Sequence, residues 1–339
     1  MSQNKKAKEK AKELLEKIKA DCNVEIQGLD TETDFSEIIN RNCENIVGYK
    51  KIPMGVSNRP IIINNKKFFV PVCTTEGALV ASMCRGIKLI NLCGGVNGYV
   101  ENLGITRSFS MEFKSFSDAI SFYQWIKIEE NIQNLKNIGE INSRYCKIKE
   151  IESKYVFGTM VYIKVTAFTG DAMGMNMITK ACDQIAKRIC ELFEGSKLIC
   201  ISANICTDKK WSIENYTSNY IAGLFVAFGQ DLGHIIESSN CILTMTKKDQ
   251  VLDVCLFMPS LVVGTVGGGT HLEPAKSMFE QFNVMDEHII RNKEDNSTNS
   301  NYLSLLIASA VLAGELSCLA SITENSLVDA HMRLNRKQN

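Results

Sequence analysis

The stretch that most constrains the fold is Thr169–Met177, which reads TGDAMGMNM. The segment before it, Val161–Phe168, is rich in β-branched and aromatic residues, as strands are. Apolar residues then recur at four-residue spacing, which places them on one face of a helix. The residues on this face are Met173, Met177, Ala181, Ile185 and Ile189. The sequence therefore predicts a strand, a glycine-bearing turn and a helix in direct succession.

The turn between this strand and helix carries Gly170 and Gly174, which let the backbone approach another group closely. The free N–H groups and the dipole of a helix N-terminus favour an anion, so a nucleotide phosphate would fit there. A capped helix with a methionine-lined core face is the alternative, because the Gly-x-x-x-Gly spacing alone is weak. No Gly-x-Gly-x-x-Gly follows the first strand of this region, so a Rossmann domain is not expected.

The same string resembles the cofactor segment of hydroxymethylglutaryl-CoA reductases, and further segments match that family in its order. They read PVCTTEGALVAS, ISANICTDKK, FGQD with ESSNC, MPSLVVGTVGGGT, LAGELS and AHMRLNR. The resemblance runs from about Asn42 to Arg336 and is to the catalytic portion of the class I branch, the eukaryotic and archaeal-like one. It implies an oxidoreductase that converts hydroxymethylglutaryl-CoA to mevalonate with two NADPH, in the mevalonate pathway to isoprenoids and sterols.

The element pattern predicts an α+β fold, with a charged N-terminal helix at 1–24. From Arg107 to Ser202 the order is β-α-β-β-α-β, which is ferredoxin-like. The resemblance implies that 109–202 is a small NADP-binding domain, inserted in a helix-rich large domain that binds substrate and CoA (25–108 and 203–339). The predicted elements of the insert are strands Arg107–Phe113, Asn142–Lys149, Tyr155–Phe168 and Lys197–Ser202, and helices Ser117–Leu135 and Ala172–Glu194.

Composition excludes several classes of protein. Acidic and basic residues balance at 38 each in 339 residues, so no global field favours nucleic acid or a membrane surface. The 13 cysteines form no Cys-x-x-Cys pair, and without a histidine cluster no metal is expected. With no signal peptide, we expect a reduced cytoplasmic chain, or one on the cytosolic face of a membrane if an anchor was removed. The apolar stretch Leu303–Ile322 contains Glu315, so no membrane segment is expected.

Four residues match the catalytic set of the family: Glu76, Lys209, Asp231 and His331. Glu76 interrupts an uncharged run, and apolar surroundings favour a protonated carboxyl group, which suits a general acid. By resemblance, Lys209 stabilises the carbonyl oxygen as it gains charge, and His331 protonates the CoA thiolate. By the same resemblance, Asp231 lies between Glu76 and Lys209 and adjusts the pKa values of both. Taken singly, they fit simpler roles: a helix-start glutamate, a solvated lysine, an N-capping aspartate and a solvated tail histidine.

The cofactor residues are also given by resemblance. Ser143 and Arg144 match the pair that holds the 2′-phosphate, and a cationic Arg144 would favour NADPH over NADH. An edge-strand arginine in solvent is the alternative. Around the helix start the matching residues are Asp171, Met173, Gly174, Met175 and Asn176, and in the glycine run, expected at the nicotinamide end, they are Val266 and Gly267.

The substrate and CoA residues complete the predicted site. The donor fork of Arg107 suits a free carboxylate, although a surface arginine is the alternative. The other matches around the hydroxymethylglutaryl group are Ser202, Asn204, Asp208, Lys210 and Asn219. Those around CoA are Glu44, Ser82, Arg85 and Lys88. Since relatives build the site across a dimer interface, a homodimer or higher homo-oligomer is expected.

The chain also departs from the family. Relatives carry a long stretch with its own helices and strands after the position of Lys210, where this chain has only WSIENYTS. Cys84 replaces a family asparagine, and the loop 57–60 reads SNRP where Gly-Pro-Leu is usual. These changes leave open a fold-retaining pseudoenzyme or binding module, and an NAD-dependent enzyme working in the mevalonate-oxidising direction. Retention of all four catalytic residue types favours the reductase.

Overall fold

The computed structural model describes residues 3–22, 26–38, 42–43, 45–141, 143–201, 216–280 and 298–324. Its helices are α1 (Gln3–Cys22), α2 (Leu79–Leu92), α3 (Phe116–Trp125), α4 (Glu129–Glu140), α5 (Met175–Leu192), α6 (Tyr216–Ala227), α7 (Ile235–Ser238), α8 (Ala275–Phe279) and α9 (Thr298–Thr323). Its strands are β1 (Leu29–Asp30), β2 (Tyr49–Lys50), β3 (Met54–Val56), β4 (Ile61–Ile63), β5 (Lys66–Phe68), β6 (Pro71–Cys73), β7 (Ile105–Glu112), β8 (Lys147–Phe157), β9 (Met160–Phe168), β10 (Lys197–Ile201), β11 (Ile242–Lys248) and β12 (Val251–Phe257). Separate helical and antiparallel regions make this an α+β fold, as expected.

One sheet has four antiparallel strands in the order β10-β7-β9-β8. Alternate residues of β7 and β9, such as Phe109, Met111 and Ile163, are buried against α3, α4 and α5. The buried face of α5 contains Ala181, Ile185 and Ile189, as its four-residue spacing predicts. The core of this unit is therefore formed between one face of the sheet and three helices.

Two boundaries in this unit differ from the sequence prediction. The helix predicted over Ser117–Leu135 is two helices, α3 and α4, and the side-chain amide of Asn131 donates to the Trp125 carbonyl (2.9 Å), which satisfies an acceptor at the end of α3. The hairpin between β8 and β9 turns at Gly158 (φ 60°) rather than near residues 150–154. The polar residues in that stretch continue the strand because its outer face is solvated.

A second core joins α2, α6 and α9 to strands β4–β6. Helices α2 and α9 approach closely at Gly86, where an added Cβ would lie 1.8 Å from the carbonyl oxygen of Ala313. Tyr220 on α6 packs over Gly314 on α9, and its hydroxyl donates to the Leu79 carbonyl (3.3 Å). These glycines allow three helices to pack with their backbones close together.

Helix α9 is the most apolar long helix among the described residues. Over Asn299–Ser321 it is long and apolar enough to cross a membrane, but 72% of its most apolar window is buried inside the protein, as in a core helix. Glu315 within it is buried and accepts a hydrogen bond from the Thr217 hydroxyl (2.8 Å). A hydrogen-bond donor of this kind lowers the cost of burying a carboxylate.

The N-terminal helix α1 has a small core of its own. Ala7 and Ala11 are buried against Phe35, Ile38 and Ile46. The side chain of Asn4 accepts the Phe35 N–H (3.0 Å), which joins the helix to the segment that follows it. This helix therefore packs on its neighbour through alanines, while its lysines and glutamates face solvent.

The simpler interpretation of Glu76 is a glutamate in the first turn of a helix, but α2 begins only at Leu79. Ala78 just before it is left-handed (φ 76°), a conformation that costs a non-glycine residue about 1 kcal/mol. Residues 74–78 therefore form a turn, and Glu76 lies on this turn rather than in the first turn of the helix.

Candidate functional site

The turn predicted to receive an anion has the expected local geometry. We call residues 169–174 the helix-start loop. The Thr169 hydroxyl donates to the Ala172 carbonyl (2.8 Å), and Gly174 caps α5 with φ 88°. A Cβ on Gly174 would lie 2.4 Å from the Thr169 side chain, so no larger residue fits this tight turn. The loop consequently leaves the first N–H groups of α5 without side-chain caps.

A second predicted motif packs directly on this loop. We call residues 264–270 the glycine loop. The Asp171 carbonyl accepts the N–H groups of Thr265 (2.7 Å) and Val266 (3.3 Å). A Cβ on Gly264 would lie 2.4 Å from the Met173 nitrogen, so only glycine permits the approach. The fold thus brings together two motifs that are about ninety positions apart along the chain.

The segment that carries Asp231 is attached to the same pair of loops. The Gln230 side chain accepts the Gly264 N–H (2.9 Å) and donates to the Phe228 carbonyl (2.8 Å). Gly229 and Gly269 pack backbone to backbone, and a Cβ on Gly229 would lie 2.5 Å from the Gly269 oxygen. Asp231 is therefore held one residue from a side chain that anchors the glycine loop.

Asp231 sits among titratable neighbours. Its Oδ1 accepts the Gly233 N–H (2.9 Å) and so caps a short 3-10 helix, Leu232–His234, as the simpler interpretation of the sequence predicted. Its Oδ2 is 3.8 Å from Nε2 of His234, whose Nδ1 is 2.6 Å from Oε1 of Glu237. The side chains of Asp231, His234 and Glu237 are 57%, 18% and 5% exposed, so the row runs from the surface inward.

The predicted 2′-phosphate residues lie beside the first turn of α5. The Ser143 hydroxyl accepts the Cys146 N–H (3.0 Å) and lies 3.9 Å from the Met177 sulfur. The Arg144 side chain is exposed, with its guanidinium carbon 5.9 Å from the centre of the Tyr145 ring. The Ser143 hydroxyl thus lies against the first turn of α5, which directly follows the helix-start loop.

Arg107 lies on β7, opposite Val165. Its Nε is buried and has no hydrogen-bond partner within the part of the chain that the structure describes. A buried donor left unpaired is costly, so a bound anionic ligand would relieve that cost.

Glu76 is half-buried on the turn before α2. Its N–H donates to the Thr74 hydroxyl (2.9 Å), which fixes the turn. Burial raises the pKa of the nearby Cys73 thiol, so the strand leading to this turn is shielded from water. Gly223 of α6 packs on the Cys73 carbonyl (a Cβ would lie 2.8 Å away), and α6 leads directly to the Asp231 segment.

The residues predicted to bind CoA differ in how exposed they are. Arg85 and Lys88 are exposed on α2, whereas Ser82 is buried and its hydroxyl donates to Ser317 on α9 (3.0 Å). Asn219 is exposed on α6. The predicted residues that lie outside the described ranges are Glu44, Ser202, Asn204, Asp208, Lys209, Lys210 and His331.

Sequence reasoning missed four residues that structure this site: Gln230, His234, Glu237 and Ser300. Ser300 starts α9, and its N–H donates to Oδ1 of Asp171 (2.9 Å), an interaction between distant segments with no local signal. The spacing Asp-x-x-His-x-x-Glu was a usable signal, because side chains three apart share a helix face. Within the described ranges no group of three or more His, Cys, Asp or Glu residues could hold a metal ion.

Fold and site together define the class: an α+β protein in which a glycine loop, a helix N-terminus and an acidic segment converge. The chain belongs to the hydroxymethylglutaryl-coenzyme A reductase family, which it matches over residues 7–219 and 212–336. It is 32% identical to a Cyberlindnera jadinii reductase over 360 residues, 89% of this chain and 38% of that protein. It is also 32% identical to reductase 2 of Dictyostelium discoideum over 362 residues, 90% of this chain and 67% of that protein.

The lengths in these alignments are informative. The chain spans little more than a third of the Cyberlindnera jadinii reductase and two thirds of the Dictyostelium discoideum one. An alignment of 360 positions exceeds the 339 residues of this chain, so the relative has residues that this chain lacks. The two family matches meet at 212–219, directly after Lys210, where the sequence predicted a shortened segment.

The fold is similar to those of solved reductases. A class II 3-hydroxy-3-methylglutaryl-CoA reductase from Streptococcus pneumoniae, described as bound to NADPH in open conformations, has a TM-score of 0.67 at 16% identity, covering 95% of this chain and all of that one. A second structure of the Streptococcus pneumoniae reductase gives 0.66 at 17% identity, covering 95% of this chain and 87% of that one. At such identity the likeness establishes the fold alone.

Proposed function

We propose that the protein reduces hydroxymethylglutaryl-CoA to mevalonate and CoA with two NADPH. The observation that carries this is the convergence of the helix-start loop, the glycine loop and the Asp231 segment in a member of the reductase family. Each of these segments resembles a cofactor or catalytic segment of the family. Their packing into one region is what a hydride-transfer site needs.

We infer that the four-stranded unit is a ferredoxin-like, NADP-binding small domain, with boundaries near 109 and 202. Its order is β-α-β-β-α-β once α3 and α4 are counted as one broken helix, and β7 and β9 are central. The uncapped N-terminus of α5, the small residues around it and the exposed guanidinium of Arg144 fit a phosphorylated dinucleotide. The core of α2, α6 and α9 would belong to the surrounding large domain.

In this proposal the cofactor supplies hydride. The protein's own residues bind and orient the cofactor and the substrate, and they supply the protons. Residues at 171 and 173–176, with Val266 and Gly267, would hold the dinucleotide, while Arg107 would pair with the substrate carboxylate. Glu76 would protonate the carbonyl oxygen, Lys209 would stabilise its developing charge, and His331 would protonate the CoA sulfur. Arg85 and Lys88 are exposed cations on α2 that suit CoA phosphates, whereas Ser82 is buried against Ser317 of α9.

We propose a homodimer or larger homo-oligomer. The β11–β12 ribbon exposes Ile242 (57%), Val251 (61%) and Phe257 (58%), and an isolated two-stranded ribbon is marginal in water. A second copy would cover these side chains. We propose a cytosolic reaction because the eleven cysteines whose side chains the structure describes are free, as in a reducing compartment.

Turnover of hydroxymethylglutaryl-CoA, followed as loss of NADPH absorbance, tests the function. Wild type should consume NADPH, and Glu76→Gln should lower kcat by about 10²–10⁴-fold because the proton donor is lost. Glu194→Gln, at a carboxylate that is 98% exposed, is the matched control and should retain wild-type turnover. A folded wild type that consumes no NADPH would instead establish the binding module or pseudoenzyme.

A further inference from the structure

The row of Asp231, His234 and Glu237 places a histidine between two carboxylates. The three residues follow at intervals of three, across a 3-10 turn and helix α7. His234 lies 2.6 Å from Glu237 through Nδ1 and 3.8 Å from Asp231 through Nε2. No other titratable group of the described chain lies within ion-pair distance of His234.

The inner end of the row is rigid. Glu237 is 5% exposed, and its carbonyl accepts the side-chain amide of Asn240 (2.9 Å). Its neighbour Ser238 accepts the Val262 N–H (3.0 Å), which ties α7 to the segment leading into the glycine loop. The second oxygen of Glu237, Oε2, is buried without a hydrogen-bond partner among the described residues. The Nδ1 contact is therefore the main polar support of this carboxylate.

We assign the ring protons of His234 from its contact with Glu237. With Glu237 ionised, the carboxylate can only accept, and Nδ1 of His234 is then the donor in that contact. Nε2 is then the nitrogen that gains or loses a proton, and it faces Oδ2 of Asp231. The other oxygen of Asp231 is already held by the Gly233 N–H. Both oxygens of this carboxylate are thus oriented, and one faces an exchangeable proton.

We propose that His234 is a positioning residue for Asp231, anchored by Glu237, and that His234 and Asp231 exchange a proton during turnover. This rests on the proposed reductase function. Each hydride added to a carbonyl carbon leaves an oxygen that must take up a proton. Glu76 gives that oxygen its proton and is reprotonated from Oδ2 of Asp231, whose O–H bond breaks. The Nε2–H bond of the imidazolium then breaks and an O–H bond forms again on Oδ2. The ring is left neutral with its proton on Nδ1, and solvent restores Nε2.

The surroundings support this exchange. The 18% exposure of His234 gives the ring access to solvent, while the buried Glu237 prevents it from rotating away. Helix α6 and the segment 259–270, which pack near the row, contain no charged residue. The Nε2–Oδ2 separation of 3.8 Å is longer than a hydrogen bond, as catalytic contacts often are before substrate binds.

Nuclear magnetic resonance of the histidine ring nitrogens tests the pairing without any turnover. In Asp231→Asn, the pH midpoint of the His234 signals should move by about 0.5–1 unit, the effect of a unit charge about 4 Å away in water. The His271 signals are the internal control and should not move, because that ring contacts the Gly268 carbonyl (2.8 Å) instead. Identical His234 titration in wild type and Asp231→Asn would overturn the proposal.

Kinetics test the role in the reaction. His234→Gln keeps a polar side chain that cannot titrate, and should lower kcat about tenfold, less than loss of a direct proton donor. KM for hydroxymethylglutaryl-CoA should stay within about twofold, and one ionisation should disappear from the pH profile of kcat. An unchanged pH profile in a folded His234→Gln variant contradicts the role. If wild type is inactive, the proposed function fails, whereas the resonance experiment still decides the pairing.

Discussion

At the scale of single residues, we predict that Arg144 decides which dinucleotide the site prefers. Its side chain is exposed, and it follows Ser143, whose hydroxyl lies 3.9 Å from the Met177 sulfur in the first turn of α5. Because charge-assisted hydrogen bonds contribute about 1.5–3 kcal/mol, Arg144→Gln should raise KM for NADPH by about 10- to 100-fold. KM for NADH should change little, since that cofactor lacks the phosphate.

Arg188→Gln is the matched control for Arg144. Arg188 is an arginine of α5 that pairs with Glu191 (2.8 Å) on the helix surface. Both variants should be measured with NADPH and NADH under the same salt conditions, because exposed charges are screened. Retained NADPH preference in Arg144→Gln would assign the phosphate to a different cation.

Another single residue, Cys146, makes stability depend on pH. Burial, followed by the nearby Glu140 carboxylate, raises the pKa of this thiol from 9.0 to about 11. As pH rises past 9, the unfolded chain releases this proton before the folded one does, so unfolding becomes favoured. The contribution of the protonated Cys146 thiol to the free energy of unfolding is complete below pH 9 and is lost between about pH 9 and 11.

Urea unfolding at pH 8 and pH 10.5 measures this dependence. Cys146→Ala should lose less of its free energy of unfolding over that interval than wild type does, although its stability at pH 8 is lower because a buried side chain is shortened. Cys93→Ala, at an exposed cysteine, should follow wild type. The same loss in all three proteins would place the pH sensitivity at other groups.

At the scale of elements, the site depends on how closely two loops approach. The glycine loop meets the helix-start loop at Gly264, where a Cβ would come within 2.4 Å of the Met173 nitrogen, a backbone atom that cannot move aside freely. Gly264→Ala should therefore lower the free energy of unfolding by about 1–3 kcal/mol, the usual cost of overpacking. It should also weaken NADPH binding, because the two loops must separate.

Calorimetric NADPH binding and urea unfolding measure both effects of Gly264→Ala. Gly267→Ala is the comparison for stability, since a Cβ there meets nothing within 4 Å and carries only the strain of its φ of +87°. That strain amounts to about 1–2 kcal/mol. Equal NADPH affinity in Gly264→Ala and wild type would show that the close approach serves packing alone.

Some features of the helices and turns could be predicted from the sequence, and others could not. The face of α5 and the turn at Asn64 and Asn65 (φ 48° and 65°) were predictable, because helical spacing and tolerance of left-handed backbone are local properties. The break between α3 and α4 was not, since apolar residues continue through it and only tertiary packing ends the first helix.

The same distinction holds for the site. Family motifs singled out Asp231, whereas the three-residue spacing that relates His234 to two carboxylates was a local signal that the family motifs do not include. The bond between Asp171 and Ser300 joins segments 129 positions apart, and no local pattern encodes it. Contacts of this kind are selected by the packing of the whole chain.

At the scale of the whole molecule, we predict that the sheet unit is an insertion in the larger unit. Ile201 at the end of β10 pairs opposite Phe109 in the middle of β7, and because the two strands are antiparallel the chain leaves β10 toward the end of β7 at which it enters the unit. Its core is distinct from the core of α2, α6 and α9. A unit with adjacent ends and its own core can be interrupted or isolated with little effect on its packing.

The second face of the sheet allows an experiment on this architecture. Thr106, Ser108 and Ser110 are buried there in the full chain, and their hydroxyls could be hydrated if that face were uncovered. We therefore expect a fragment of residues 104–201 to fold alone, with a cooperative thermal transition and near-ultraviolet circular dichroism. Ile163→Asp, which places a charge at a fully buried position of β9, should abolish that transition in the fragment. A fragment with helical far-ultraviolet signal but no cooperative transition would mean that the two cores stabilise each other, and that NADPH binding and substrate binding are linked through their shared surface.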